Sequence, residues 1–585
     1  MSIDRRIVVF AVLILVALAA FAFRPTGSPA PAELSTFRTY ADLARFLDRA
    51  GPSGGGAVLL EGDLAGLGAE AGFSRTNVQV QGVDELDTVK TDGEYLYLVS
   101  SNNVSIVRAT PPGEMQIVAR ITATDLGVEL DPNTTVYIAG MFVDSDRLAV
   151  VSSAWAYVWL ARETIVPGPG PVPSIEPQRL RTWVSIFDLS TISSPQLEFA
   201  FGVTGTYLAA RSTSGHVYLI AQDYVIKYED LYLLPETCSE DACITGDSRE
   251  IWYDPQSKEA GLFTNILAVN VETGDHETFS VLTGWTSTIY MSPQALYLSF
   301  LKWEGDLSSP DGWMAGSFWT SVYKIVASGV VMGATASGDV PGALLNQFSM
   351  DEHEGYLRVA TTIGWGRSNS VYVLNETLGI VGALEGIAED EQIFAARFVG
   401  DSLYLVTFRQ IDPFFVIDLS DPMDPRLLGE LEIPGFSSYL HPVDGDHILG
   451  IGQENWTLKV SLFDVSDPAH PVESSRWTVA NTSWSEALYD HKAVLFDGPK
   501  ALFVLPIYGW DGESGAYVFR VTPTDGISLR GVISHGLAYA NVYRSLYIGD
   551  TLYTVSPYTV KANALSDLSE IGSLEYESPP DWTKG

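Results

Sequence analysis

The sequence predicts an all-β fold: a single large β-propeller of eight or nine four-stranded blades, preceded by an N-terminal apolar helix and one short amphipathic helix. Three observations predict it. First, a β-rich run, a tight turn and a second β-rich run recur nine times. The clearest copies are Val184-Ser185-Ile186-Phe187-Asp188-Leu189-Ser190, Phe415-Val416-Ile417-Asp418-Leu419-Ser420-Asp421-Pro422 and Leu462-Phe463-Asp464-Val465-Ser466-Asp467-Pro468. Second, a repeat of roughly 45–60 residues carrying about four short strands is the signature of a propeller blade. Third, the composition of 52 Gly, 31 Pro and 11% aromatic residues suits many short strands and turns.

The chain opens with Asp4-Arg5-Arg6 and an apolar run over 7–23. Its length fits either a membrane span or a long signal-peptide core, and Ala20-Phe21-Ala22 offers a small-x-small cleavage site. Residues 1–24 are therefore read as a signal peptide or membrane anchor. The two arginines keep the N-terminus inside. Both readings place the rest of the chain outside the cytoplasm, membrane-anchored or secreted.

Residues 25–75 read as linker. Arg24-Pro25-Thr26-Gly27-Ser28-Pro29-Ala30-Pro31 is a flexible tether. Ser35 is expected to cap a helix over 36–49, with Phe37, Tyr40, Leu43, Phe46 and Leu47 on one face and Gly51-Pro52 as its stop. The propeller is expected over 76–577, with a tail over 578–585.

Within it, nine strand–turn–strand hairpins are expected near 104–121, 184–199, 266–282, 322–335, 371–384, 414–431, 460–477, 516–533 and 559–575. Before most of them lies another strand pair joined by a polar turn, such as Thr91-Asp92-Gly93, Gly400-Asp401 or Gly549-Asp550. Asp-Gly and Gly-Asp steps tolerate the positive φ of a tight hairpin. Tyr-Leu-Tyr-Leu-Val alternation supplies both faces of a packed sheet. Three inserts interrupt the spacing: 167–177, 235–258 and 303–319. Recognition often lives on such loops. Trp155-Ala156-Tyr157-Val158-Trp159 and Trp303, Trp313 and Trp319 either stack sugars or dock a protein, or simply cover blade flanks.

The two cysteines, Cys238 and Cys243, sit five apart in a polar insert. In an exported chain an even count points to a small-loop disulfide, with a two-thiol metal site as the alternative. Asn103, Asn133, Asn375, Asn455 and Asn481 stand in N-x-Ser/Thr triplets, which permit glycosylation. The net charge of −38 argues against nucleic acid as a partner and leaves room for cations.

The run Thr76-Asn77-Val78-Gln79-Val80-Gln81-Gly82-Val83-Asp84-Glu85-Leu86-Asp87-Thr88-Val89-Lys90-Thr91-Asp92-Gly93 resembles the opening motif of secreted archaeal and bacterial β-propeller domain proteins distantly related to WD40 repeats. Met350-Asp351-Glu352-His353-Glu354-Gly355, Ala396-Arg397-Phe398-Val399-Gly400-Asp401, Ile433-Pro434-Gly435-Phe436 and Ser485-Glu486-Ala487-Leu488-Tyr489-Asp490-His491-Lys492 are similar to further family stretches. The resemblance spans about residues 35 to 575 and implies fold and export. It brings no catalytic residue with it.

A ring would bring the polar residues of innermost strands together at its hub. They include Asp84, Glu85, Asp351, Glu352, His353, Arg397, His441, Tyr489, Asp490, His491, Tyr543 and Arg544. Of these, Asp84, Glu85, Asp351, Glu352, His353, His441, Asp490 and His491 are the candidate metal ligands. Ca²⁺ would use the carboxylates alone, whereas a transition metal would need the histidines. The competing reading is a solvated, salt-bridged channel in which Arg397 and Arg544 neutralise acids.

The sequence carries no G-x-S-x-G elbow set between a strand and a helix, no His-Glu-x-x-His helix and no phosphate-cradling glycine loop. Asp351 and Glu352 are adjacent on a strand and so face opposite ways. The expected role is thus an exported, membrane-tethered interaction module for a cell-surface protein or glycan. The alternatives are an extracytoplasmic hydrolase, lyase or quinoprotein-type enzyme using the channel, and a structural cell-envelope component.

Overall fold

The computed structural model describes residues 34–50, 72–100, 102–128, 134–156, 179–228, 230–239, 242–257, 260–304, 317–364, 368–408, 412–479, 483–509, 514–536 and 541–578. The apolar run 7–23, the tether, residues 51–71, Tyr157, Trp159, Trp313 and the insert 167–177 lie outside them.

Nine sheets each hold a core of four antiparallel strands, and we number them as blades 1 to 9: 89–122, 134–204, 206–283, 286–341, 350–387, 392–433, 436–478, 483–533 and 544–575. Each of the nine hairpins expected from the sequence is the outer half of one blade. Eight blades have an unbroken innermost strand. In blade 8 that position is split between Ser483–Trp484 and Leu495–Asp497, with two 3-10 turns between them.

The ring closes through its packing. Apolar side chains form a separate buried cluster at every junction, and the last one joins Tyr553 and Val555 of blade 9 to Leu96 and Leu98 of blade 1. Every blade is contiguous in sequence, so no strand is exchanged to seal the ring.

A backbone contact recurs at the junctions. A Cβ placed on Gly338, Gly382, Gly429 or Gly572, all in outermost strands, would sit 2.1–2.4 Å from a carbonyl oxygen in the following blade's outer hairpin, at Leu378, Pro422, Pro468 and Pro112 respectively. Only glycine permits that approach. The Gly572–Pro112 contact spans the seam between blades 9 and 1 and matches the others.

The Asp-Leu-Ser motif builds these hairpins. The carboxylates of Asp188, Asp418, Asp464 and Asp567 each accept the backbone N–H two residues on, at 2.8–3.0 Å. Such Asx turns fix the chain reversal locally.

Antiparallel alternation sorts the loops onto two faces. Turns between first and second strands, and the outer hairpins, share the lower face. Loops between second and third strands, and the crossovers between blades, share the upper face. The insert at 225–261 joins the second strand of blade 3 to its third and leaves from the upper face.

The N-terminal helix runs Tyr40–Arg49, not 36–49. Its cap is Thr39, whose side chain accepts from the Asp42 N–H; Ser35 instead sits in a short strand paired with Trp252 and Tyr253. That pairing holds Ser35 and Thr36 extended, so the helix starts a turn later than its apolar spacing implies. Phe37, Leu43, Phe46 and Leu47 bury against Ile251, Ala260, Phe263 and Leu282, so the helix docks on the blade 3 insert. No helix among the described residues is long and apolar enough to cross a membrane. The expected disulfide joins Cys238 and Cys243, which face each other across a small hairpin added to the outer strand of blade 2.

Candidate functional site

Residues 72–88, expected to be partly linker, thread the hub. The Ser74 N–H donates to the Tyr547 carbonyl of blade 9 (2.9 Å). Asn77 Nδ2 donates to the His491 carbonyl of blade 8 (3.1 Å). Gln79 Nε2 donates to the Gln347 and Met350 carbonyls at blade 5 (3.0 and 3.1 Å). Asp84 and Glu85 pair with Ser212 and Arg211 as an extra strand inside blade 3, and the Met141 N–H of blade 2 donates to the Asp87 carbonyl. The chain then enters blade 1.

This segment carries three acids, and the blades meet them with bases. Lys90 Nζ donates to both Asp84 oxygens (2.7 and 2.9 Å). His491 Nε2 lies 3.2 Å from Glu85 Oε2. Arg544 Nε lies 3.1 Å from Asp87 Oδ1, and its Nη2 pairs with Asp490. Lys492 also reaches Asp490 (3.0 Å).

The centre of the hub is a buried network, with Asp84 and Asp490 at its partly exposed margin. Glu85, Asp87, Arg211, Arg397, His441, His491 and Arg544 are all buried. Burial by itself would raise the Glu85 carboxyl. The Arg211 charge, then His491 and Lys492, outweigh it and hold that group well below the usual range. Asp490 follows the same logic, with burial opposed by Arg544, Lys492 and His491. His441 is pushed down to about 3, first by burial and then by the Arg397 and His491 charges. Its Nδ1 stands 2.6 Å from the Tyr439 hydroxyl.

Arg544 neutralises acids as expected. Arg397 instead lies over the Phe348 ring at 5.0 Å, and burial lowers its pKa.

Among the eight candidate ligands, Glu85, Asp490 and His491 come together. Asp351 pairs with Arg358 (2.9 Å), whereas Glu352 turns the other way to Ser292 and to Lys324 (3.2 Å). His353 meets Asp401 on the lower face (3.3 Å). Among the described residues only Glu236, Cys238 and Cys243 bring three ligand-type atoms within 4.8 Å of one another, and both sulfurs belong to the disulfide.

The sequence reading missed Lys90, Arg211 and Gln347. For Lys90 and Arg211 the available signal was a long basic side chain in an innermost strand, whereas Gln347 lies in the 3-10 turn Gln347–Ser349 and offered none.

The upper face holds a second feature over blades 7 and 8. Trp484 stacks on Tyr508 (centroids 5.0 Å) and on Tyr489 (5.8 Å). Tyr489 is 56% exposed, and Trp456, in the neighbouring loop, is 78% exposed. The split innermost strand of blade 8 creates this surface, because its first 3-10 turn, Glu486–Leu488, ends in the Tyr489 cap and lifts that ring outward.

Residues 73–568 match the family described as Beta propeller domain. The chain belongs to that family. Relatives of this β-propeller include an uncharacterized protein of Archaeoglobus fulgidus, 28% identical over 86% of this chain and 85% of that protein. Another, from Methanocaldococcus jannaschii, is 29% identical over 83% and 80%. Among solved structures, Kluyvelomyces marxianus Hsv2 aligns with 66% of this β-propeller and 94% of its own chain, with a TM-score of 0.30 and 9% identity.

Proposed function

We propose that this β-propeller is an extracytoplasmic interaction module, held to the membrane by its first 24 residues or released from it, that takes its partner on the upper face. The observation that carries this reading is the filled hub. Residues 72–88 occupy the axis with hydrogen bonds to several blades, so the ring offers its faces as binding surface. The upper face carries the blade 3 insert over 225–261 and the exposed Trp456 and Tyr489. Exposed aromatics on a rigid frame are a recognised mark of interaction sites. The apolar run 7–23 and the disulfide support placement outside the cytoplasm.

A photoreactive residue at Trp456 tests the reading against one at Asp401 on the lower face. Irradiation in intact cells is expected to give a discrete adduct from position 456 and none from 401. Adducts from both positions, or from neither, overturn it.

A further inference from the structure

We propose that Tyr489, Trp484 and Glu486 form a carbohydrate subsite on the upper face of blade 8, with Tyr508 as its buttress. The inference rests on the reading above and names the class of ligand.

Four observations converge. The stack Tyr508–Trp484–Tyr489 runs from half-buried to exposed, leaving Tyr489 as its open end. Tyr508 is fixed from below, because its hydroxyl donates to the Val542 carbonyl at 3.0 Å. A stack held this way keeps its geometry without a ligand, which lowers the ordering cost of binding. Beside the stack, the half-buried Glu486 carboxylate accepts no hydrogen bond from the described residues, and neither Trp484 Nε1 nor the Tyr489 hydroxyl has a partner among them. The site thus offers a flat apolar surface edged by two donors and an acceptor that no described residue engages. A pyranose presents the matching pattern, with C–H groups on one ring face and hydroxyls at its rim.

The local charge separates a sugar from a cationic peptide. Glu486 and Asp490 stand against Lys492 and Arg544, and Asp490 is already held by both bases. Burial raises the Glu486 pKa, with Arg544 opposing. Counting Asp87, which Arg544 also serves, three acids face two bases, so the patch is only mildly acidic although the chain as a whole carries −38. A neutral, hydroxyl-rich ligand fits that field better than a lysine or arginine side chain.

The test uses the full chain in detergent micelles, titrated with soluble hexose and N-acetylhexosamine oligomers of six residues and followed by tryptophan fluorescence and calorimetry. At least one oligomer is expected to saturate. Tyr489→Ala and Glu486→Gln should each weaken that binding tenfold or more, and Met423→Ala on the lower face should leave it unchanged. No saturation by any oligomer overturns the inference, as does saturation that Tyr489→Ala leaves intact. Binding of an oligolysine peptide that Tyr489→Ala abolishes, with no oligosaccharide binding, also overturns it. If the position 456 adduct forms while every oligosaccharide fails, the carbohydrate subsite is lost and the interaction module stands.

Discussion

At the scale of single residues, the hub is a set of buried charges whose partners come from distant blades. Arg544 serves both Asp87 and Asp490, and Lys492 shares Asp490 with it. Removing one member of a buried ion pair leaves the other without compensation, which costs about 3–5 kcal/mol. Arg544→Met is therefore expected to lower unfolding stability by that order, read from the urea midpoint. A variant within about 1 kcal/mol of the parent would show that water reaches the hub. Acid should weaken the same network. The His441 pKa is about 3 in the folded chain, so between 6.5 and 3 the unfolded state takes a proton that the folded state refuses. Its contribution is present above 6.5 and is lost as pH falls through that window. Glu85 and Asp490, both depressed, add a further loss below the ordinary carboxylate range. His441→Gln, which keeps an acceptor for the Tyr439 hydroxyl, is expected to flatten the stability profile between pH 6.5 and 4. An unchanged slope in denaturant titrations would contradict this.

At the scale of elements, glycine positions and turn chemistry set the blades against one another. Gly429→Ala would drive a methyl to 2.2 Å from the Pro468 carbonyl oxygen, and neither backbone can move without parting blades 6 and 7. A cost of about 1–3 kcal/mol is expected by thermal or urea unfolding. Gly355, whose added Cβ would meet nothing within 4 Å, has φ +82° and so tests backbone strain without the clash. The disulfide acts locally, because its hairpin is appended outside the four-strand core of blade 2. Reduction is expected to speed amide exchange over 236–245 while the main transition holds its temperature. A shift of the whole transition would mean that the hairpin braces the ring. Much of this scale was legible in the sequence. All nine outer hairpins were visible from the strand–turn–strand pattern, and four of them also carry an Asp-x-Ser turn that reports its own local geometry. The late helix start was not, since Ser35 is captured by a strand 218 residues away, at Tyr253. The inter-blade glycines were equally hidden, because a glycine in a strand does not say what approaches it. Glu85, Asp490, His491 and Arg544 could be nominated as hub residues from polarity alone. Their pairing, and the participation of Lys90, Arg211 and Gln347, depend on ring register that no short motif encodes.

At the scale of the whole molecule, an acidic protein gathers a few of its bases at its own axis. Lys90, Arg211, Arg397 and Arg544 are buried there, while 72 Asp and Glu against 34 Lys and Arg leave the net charge at −38. Residues 72–88 then serve as an internal counter-strand, and the ring needs no swapped strand at its seam. Charge-neutralising the segment with Asp84→Asn and Asp87→Asn together should destabilise all blades at once, seen as one lowered cooperative transition. Independent melting of blades 1 and 9 would count against a shared axis. The seam has an evolutionary corollary. Gly572 against Pro112 is built like Gly382 against Pro422 and Gly429 against Pro468. A ring whose joins are interchangeable can gain or shed an entire unit through duplication or deletion at a crossover, with every ladder of hydrogen bonds left intact. Relatives with other blade numbers are thus accessible by single recombination events, provided the axial segment still reaches its bases.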